Sequence, residues 1–213
     1  MKLLAINGSP RKAMNTAALL EKVVAGALSR GAEAELIHLR DHQYRGCISC
    51  FHCKNPEGSS YGRCILKDDL RPILDLAHEA DVLVLGSPFY FSAETSLMRA
   101  FQERLWFQYY LYSNLKPPLS PRKKAAALLY TMNVKEEDMD KYPKAGVIQI
   151  ATGVMERLFG PCEVFLCTDT KQVPDYSKYE MDLWDAEAKD QRHREVFPRD
   201  LERAFEMGAR LAS

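Results

Sequence analysis

The chain carries no excess of either charge. Lys plus Arg and Asp plus Glu number 29 each over 213 residues, for a formal net charge of zero. Such a balance leaves no electrostatic footprint for nucleic acid or another polyanion. No apolar run is long enough to span a bilayer, and only five apolar residues precede Asn7 and Gly8, too few for a signal-peptide core. The expectation is a cytoplasmic protein with no membrane partner. Neither G-x-G-x-x-G nor G-x-x-x-x-G-K-[ST] occurs, so the dinucleotide fingerprint and the nucleoside triphosphate loop are both missing. Internal repeats, low-complexity tracts, a Ser/His/Asp set and an H-E-x-x-H motif are absent as well.

What remains is a chain with 46% hydrophobic residues, enough for one sizeable core and a single domain over 1–213. Apolar segments alternate with helical patterns. Strands are expected at Lys2–Asn7, Glu33–Leu39, Asp81–Gly86, Ala125–Thr131 and Glu163–Thr168, and helices at Thr16–Arg30, Asp68–Glu79, Thr95–Phe107, Lys144–Leu158 and Trp184–Leu211, the last with a break at Pro198. This alternation predicts an α/β protein: a three-layer, doubly wound, five-stranded parallel sheet of flavodoxin-like order 2-1-3-4-5. Ligands of such sheets sit outside the carboxyl ends of the strands. The informative loops are then GSPRKAMNT, SPFYFSAET and TMNVKEEDMDKYP, after the first, third and fourth strands.

In the first of these, an apolar strand breaks into Gly8-Ser9-Pro10-Arg11 and a helix follows directly. The free N–H groups and dipole of a helix N-terminus favour an anion. Ser9, Arg11, Asn15 and Thr16 add side-chain donors. One glycine and a donor-rich loop fit a terminal monophosphate, as in a flavin mononucleotide site; an ordinary strand-to-helix turn with Thr16 near the cap is the bland alternative. After the third strand, Pro88, Phe89, Tyr90 and Phe91 offer rings that suit a flat conjugated ligand, or simply pack in the core.

These residues resemble a known family. INGSPRKxxNT, the Cys47–Asp69 segment CISCFHCKNPEGSSYGRCILKDD, the GSPFYF turn and the LMRAFQER helix are similar to the NADPH-dependent FMN reductases, including their iron-sulfur flavoprotein branch. The resemblance implies FMN, its phosphate at Ser9, Arg11, Asn15 and Thr16 and its ring beside Pro88, Phe89, Tyr90 and Phe91. It also implies a homodimer or higher homo-oligomer. Where many relatives have a glycine-rich third loop, this chain has Thr131-Met132-Asn133, so Thr131 and Asn133 stand as the ring contacts there. The activity implied is reduction of FMN by NAD(P)H and transfer to a small acceptor such as a quinone, nitroaromatic, flavin or metal ion. No side chain need act as acid or base. The alternative is an electron carrier working with a ferredoxin.

Cys47-x2-Cys50-x2-Cys53 matches the opening of a ferredoxin-type run, with Cys64 available as a fourth ligand of a [4Fe-4S] cluster. Ten residues separate Cys53 from Cys64 and no proline follows. Metal-free thiols, zinc and a redox disulfide all stay open. Cys162 and Cys167 lie in or beside the last strand as core thiols. The aromatic stretch Trp106 to Tyr112 is expected at a subunit contact or as a wall of the flavin cleft, with a packed surface loop as the alternative.

Overall fold

A computed structural model describes residues 1–120, 123–141 and 144–213. Tyr142 and Pro143, which close the third of the loops named above, lie outside the described residues. Strands β1 (Lys2–Asn7), β3 (Val82–Tyr90) and β5 (Ala125–Thr131) are nearly continuous apolar runs because they occupy the middle of the sheet, covered on both faces. β2 (Glu33–His38) and β6 (Cys162–Cys167) form the edges, where Glu33, Glu35 and Glu163 discourage further strand pairing. The order is β2-β1-β3-β5-β6, all parallel. This is the flavodoxin-like 2-1-3-4-5 arrangement, with one addition.

That addition is β4 (Ala93–Glu94), which pairs antiparallel with the end of β3. The third strand does not stop at Gly86 but runs on through Ser87-Pro88-Phe89-Tyr90. Phe89 meets Tyr130 edge-on, 4.7 Å between centroids, which holds the extension against β5. Phe91 and Ser92 close the hairpin with φ of 51° and 64°, the positive values that a two-residue type I′ loop requires.

Helices α1 (Asn15–Leu28) and α6 (Phe197–Leu211) cover one face; α2 (Leu70–Glu79), α3 (Ser96–Tyr109) and α4 (Lys144–Leu158) cover the other. Strand alternation divides the core accordingly: Leu3, Ala5, Val82 and Val84 point to the first face, Leu4, Ile6, Leu83 and Leu85 to the second. α1 and α6 touch backbone to backbone. A Cβ on Gly26 would stand 2.0 Å from Phe205 O, and one on Gly208 would stand 1.9 Å from Val23 O. α5 (Ala186–Glu195) ends at Val196, so the expected break precedes Pro198, which sits in the first turn of α6 where its missing N–H has no partner to lose.

For two residues of the aromatic stretch, Trp106 and Tyr109, the expectation is corrected here. Trp106 is buried and its Nε1–H donates to Met155 Sδ at 3.2 Å. Tyr109 is fully buried and shares a hydrogen bond with His78 Nδ1 at 3.0 Å. Both belong to the core beneath α3, and neither is available to a second subunit or to the cleft below. Among the described residues, no helix is long and apolar enough to cross a membrane.

Candidate functional site

The loop after β1 is tied into shape by its own polar groups. Ser9 N–H donates to Asn7 Oδ1 (2.9 Å) and Arg11 N–H to Ser9 Oγ (3.1 Å). Gly8 is obligatory: a Cβ there would lie 2.6 Å from Met98 Cβ on α3. Thr95 caps α3 by accepting from Met98 N–H (3.2 Å), and its hydroxyl donates to Gly8 O (2.6 Å). α1 begins at Asn15 after Met14, with no side chain capping it, so its first-turn N–H groups are open to an anion. Thr16 is not a cap; its hydroxyl shares a hydrogen bond with Thr131 Oγ1 at 2.8 Å.

These elements frame an open cleft at the carboxyl edge of the sheet. Ser9, Arg11, Asn15, Thr16, Pro88, Phe89, Tyr90, Thr131 and Asn133 all line it. Phe91 does not. It stands fully exposed at the hairpin tip, in a backbone conformation that a bulky residue rarely adopts. Met14, Met132, Thr170 and Gln172 complete the lining. Thr170 and Gln172 come from the loop after β6, which sequence reasoning passed over, although that loop leaves the same edge of the sheet and the carboxyl-end rule reaches it. The loop is fastened across the cleft: Arg11 Nη1 donates to Gln172 O, and Asn15 Nδ2 donates to Lys171 O at 2.8 Å.

Two side chains in this cleft are incomplete. Asn133 Nδ2 and Oδ1 and Gln172 Oε1 are sealed from solvent and have no hydrogen-bond partner. Buried polar atoms left this way are costly, and a ligand with matching donors and acceptors relieves them. Behind the cleft, Tyr130 donates to Glu94 Oε1 (3.0 Å) and Gln102 Nε2 donates to the same oxygen (3.3 Å). Burial, and then the neighbouring Glu94 carboxylate, push the Tyr130 phenol far above its ordinary range. It is a fixed donor that pins the β3–β4 hairpin.

The cysteine segment lies flat on α3. Cys47, Cys50, Cys53 and Cys64 all line one small cavity, together with Arg104, Phe107 and Gln108. Burial raises the Cys53 thiol most; Lys54 pulls it down, and Cys64, Cys47 and Cys50 each raise it further, so all four sulfurs are within electrostatic reach. Ser49 and Phe51 take positive φ, 51° and 59°, to turn the loop around this cavity. Among the described residues, no three His, Cys, Asp or Glu side chains stand close enough to hold a metal ion. Cys162 and Cys167 are elsewhere. Burial pushes both thiols up to about 12, as befits inert packing groups.

The chain is similar in sequence and in fold to known proteins. The profile described as NADPH-dependent FMN reductase matches residues 1–136. An iron-sulfur flavoprotein of Archaeoglobus fulgidus is 41% identical over 104 residues, 49% of this chain and 48% of the relative. The chain thus aligns with about half the length of such curated relatives. Two solved structures share the fold: an NAD(P)H:quinone oxidoreductase from Methanothermobacter marburgensis (TM-score 0.70, 18% identity, 99% of this chain and 98% of that one) and an FMN-dependent NADH-azoreductase from Bacillus anthracis in complex with FMN (TM-score 0.67, 12% identity, 100% of both chains).

Proposed function

This chain belongs to the NADPH-dependent FMN reductase family, and on that premise we propose that it is an FMN-dependent oxidoreductase that takes hydride from NAD(P)H and passes electrons to a small acceptor such as a quinone, nitroaromatic, flavin or metal ion. The observation that carries the reading is the set of sealed, unpartnered polar atoms of Asn133 and Gln172 in the cleft that the uncapped α1 N-terminus opens onto. The residues fit FMN. The α1 amides, Ser9, Asn15 and Thr16 would hold its phosphate, with Arg11 at the rim. Pro88, Phe89, Tyr90 and Thr131 would flank the ring, and the Asn133 amide, a donor and an acceptor side by side, would meet its polar edge.

Bound there, FMN supplies hydride and electron exchange. The chain's part is positional. Thr95 and Gly8 fix the phosphate loop, Glu94 and Tyr130 fix the hairpin, and the Lys171–Gln172 backbone closes one side. No side chain in the cleft is needed as an acid or base. Titration of the apoprotein with FMN and riboflavin, followed by anaerobic addition of NADPH or NADH, tests the reading. Equal affinity for both flavins, or failure of both nicotinamides to bleach the bound flavin, would remove it.

A second reading is favoured by one observation, the convergence of four cysteines on one cavity. Cys47, Cys50, Cys53 and Cys64 would hold a [4Fe-4S] cluster, and the protein would carry electrons with a ferredoxin. Iron and acid-labile sulfide in anaerobically purified protein decide between a cluster and free thiols. A cytoplasmic site suits six free cysteines. The exposed Phe51 and Tyr112, which pack on the cavity-lining Phe107, suit a homodimer contact, which sedimentation at micromolar concentration tests.

A further inference from the structure

Lys189 is the fourth residue of α5 and is only 3% exposed. Its place in the helix and its burial both work against a cation there. The first turn of a helix favours anions, and a buried ammonium has to be paired. Burial pulls its pKa down, while the hydrogen bond and charge of Asp169 push it back up. Asp185 fixes the turn that carries it: the side chain accepts the Ala188 N–H and the carbonyl accepts the Lys189 N–H, each at 3.0 Å.

The pairing comes from the loops that leave β5 and β6. Lys189 Nζ donates to Asn133 O at 2.8 Å, pairs with Asp169 Oδ1 and stands over the Trp184 ring, 4.9 Å from its centroid. Backbone bonds lace the same two loops together. Met132 N–H donates to Cys167 O (3.0 Å), Thr170 N–H to Met132 O (3.0 Å) and Asp169 N–H to Val134 O (2.8 Å). Both chain neighbours of Asn133 are thus tied to the β6 side, and its own carbonyl is tied to α5. The Asn133 side chain lines the cleft with both polar atoms sealed from solvent and unpartnered.

We propose that Lys189 is a positioning residue for the flavin: from α5 it clamps the Asn133 carbonyl and so holds the Asn133 amide in register with the polar edge of the ring. The proposal rests on the FMN reading given above and deepens it. With its carbonyl engaged, Asn133 keeps one orientation in the empty protein, so little ordering remains when the ring enters. Lys189 itself lies outside the cleft lining, and its effect on the flavin passes through Asn133. The phosphate donors stand on the loop after β1 and on α1, so the clamp acts at the ring end.

Lys189→Met removes the clamp but would strand the Asp169 carboxylate. It is therefore combined with Asp169→Asn, an exchange that keeps side-chain volume and leaves no lone charge. Asparagine also tolerates the φ of 52° at position 169. Asp169→Asn alone, which keeps the lysine, is the reference. Thermal unfolding of the flavin-stripped proteins reports their folding, and fluorescence titration gives Kd for FMN and for riboflavin. Relative to the reference, the double variant should bind both flavins about 5-fold or more weakly and by the same factor, the loss of roughly one neutral hydrogen bond to the ring. In an Asn133→Leu background the same exchange should change neither affinity, since the lysine acts through the residue already removed. Unchanged affinity in the double variant, or a loss that persists undiminished in the Asn133→Leu background, would overturn the inference and leave FMN binding standing. So would a loss confined to FMN, which would move the effect to the phosphate. A wild-type protein that binds neither flavin would overturn both.

Discussion

Replacing Asn133 by leucine should make the empty protein more stable and the flavin looser. The two side-chain polar atoms of Asn133 are sealed from solvent with no partner, and such a group costs about 1–3 kcal/mol. Leucine is similar in size and carries no polar atom, so the substitution removes two such costs and adds little packing strain. With partial relaxation around a residue that is only half-buried, the lower end applies, and the gain in apoprotein stability is about 1–2 kcal/mol. For a chain of this length that raises Tm by roughly 2–8 °C. The same substitution removes two neutral hydrogen bonds to bound FMN, each contributing about 0.5–1.5 kcal/mol. Affinity should fall by about 5- to 150-fold, taking ~1.4 kcal/mol per decade. Thermal unfolding of flavin-stripped protein and quenching of flavin fluorescence measure the two effects on one preparation. A destabilised apoprotein that binds FMN as tightly as the wild type would show that Asn133 serves the fold, and the assignment of the ring's polar edge would fail.

Arg11→Ala should weaken FMN by about 1–2 kcal/mol and leave riboflavin unaffected; the value lies toward the low end for a charged hydrogen bond because Arg11 is solvent-exposed, and equal losses for both flavins would sever Arg11 from the phosphate. Gly208→Ala should cost roughly 2 kcal/mol or more, since the new methyl would stand 1.9 Å from Val23 O and the helices must part; an unchanged urea midpoint would contradict the tight α1–α6 contact. His78 is held below its ordinary 6.5 chiefly by burial, with Arg63 and Lys124 adding to the effect. The folded state therefore disfavours the charged ring, and stability present above 6.5 should be lost as pH falls through and below that value. His78→Gln should flatten that slope between neutral and mildly acidic pH in urea titrations, and an unchanged slope would assign the proton uptake elsewhere.

The parallel sheet was legible because its middle strands sit between helix layers and so had to be apolar throughout; KLLAIN and AAALLYT can hardly be anything else in this context. The turn after β1 was legible for a related reason, since an apolar strand broken by Gly8-Ser9-Pro10 and followed by a helical pattern marks a strand-to-helix junction. What escaped was decided by long-range contact. Nothing local marks Phe91-Ser92 as a hairpin turn, which usually advertises itself with Asn-Gly or Asp-Gly; the hairpin is imposed by Glu94 bonding Tyr130 and Gln102 from two other elements. Trp106 and Tyr109 looked like surplus aromatic surface because their partners, Met155 and His78, lie 49 and 31 residues away. The Thr170–Gln172 wall of the cleft depends on Asn15 and Arg11 reaching more than 150 residues along the chain.

α3 joins these observations. Its cap, Thr95, holds Gly8 of the phosphate loop, and its later turns present Arg104 and Gln108 to the cysteines. Nine to thirteen residues of helix at 1.5 Å each separate the two attachments by about 14–20 Å. The cysteine loop can lie flat on this rod only where both surfaces are small: the Cβ that Gly46 lacks would be 2.5 Å from Glu103 Oε2 and 3.8 Å from the Ala100 backbone. Glu103 in turn accepts the Cys47 N–H at 3.2 Å. Because every one of these contacts is made to a single rigid element, the separation between the flavin cleft and the cysteine cavity is set by helix geometry. It does not depend on the long, turn-rich segment that carries the thiols. The motif LMRAFQER is therefore shared structure for both sites: Met98 dictates the glycine of the phosphate loop, and Arg104 anchors the two ends of the cysteine loop.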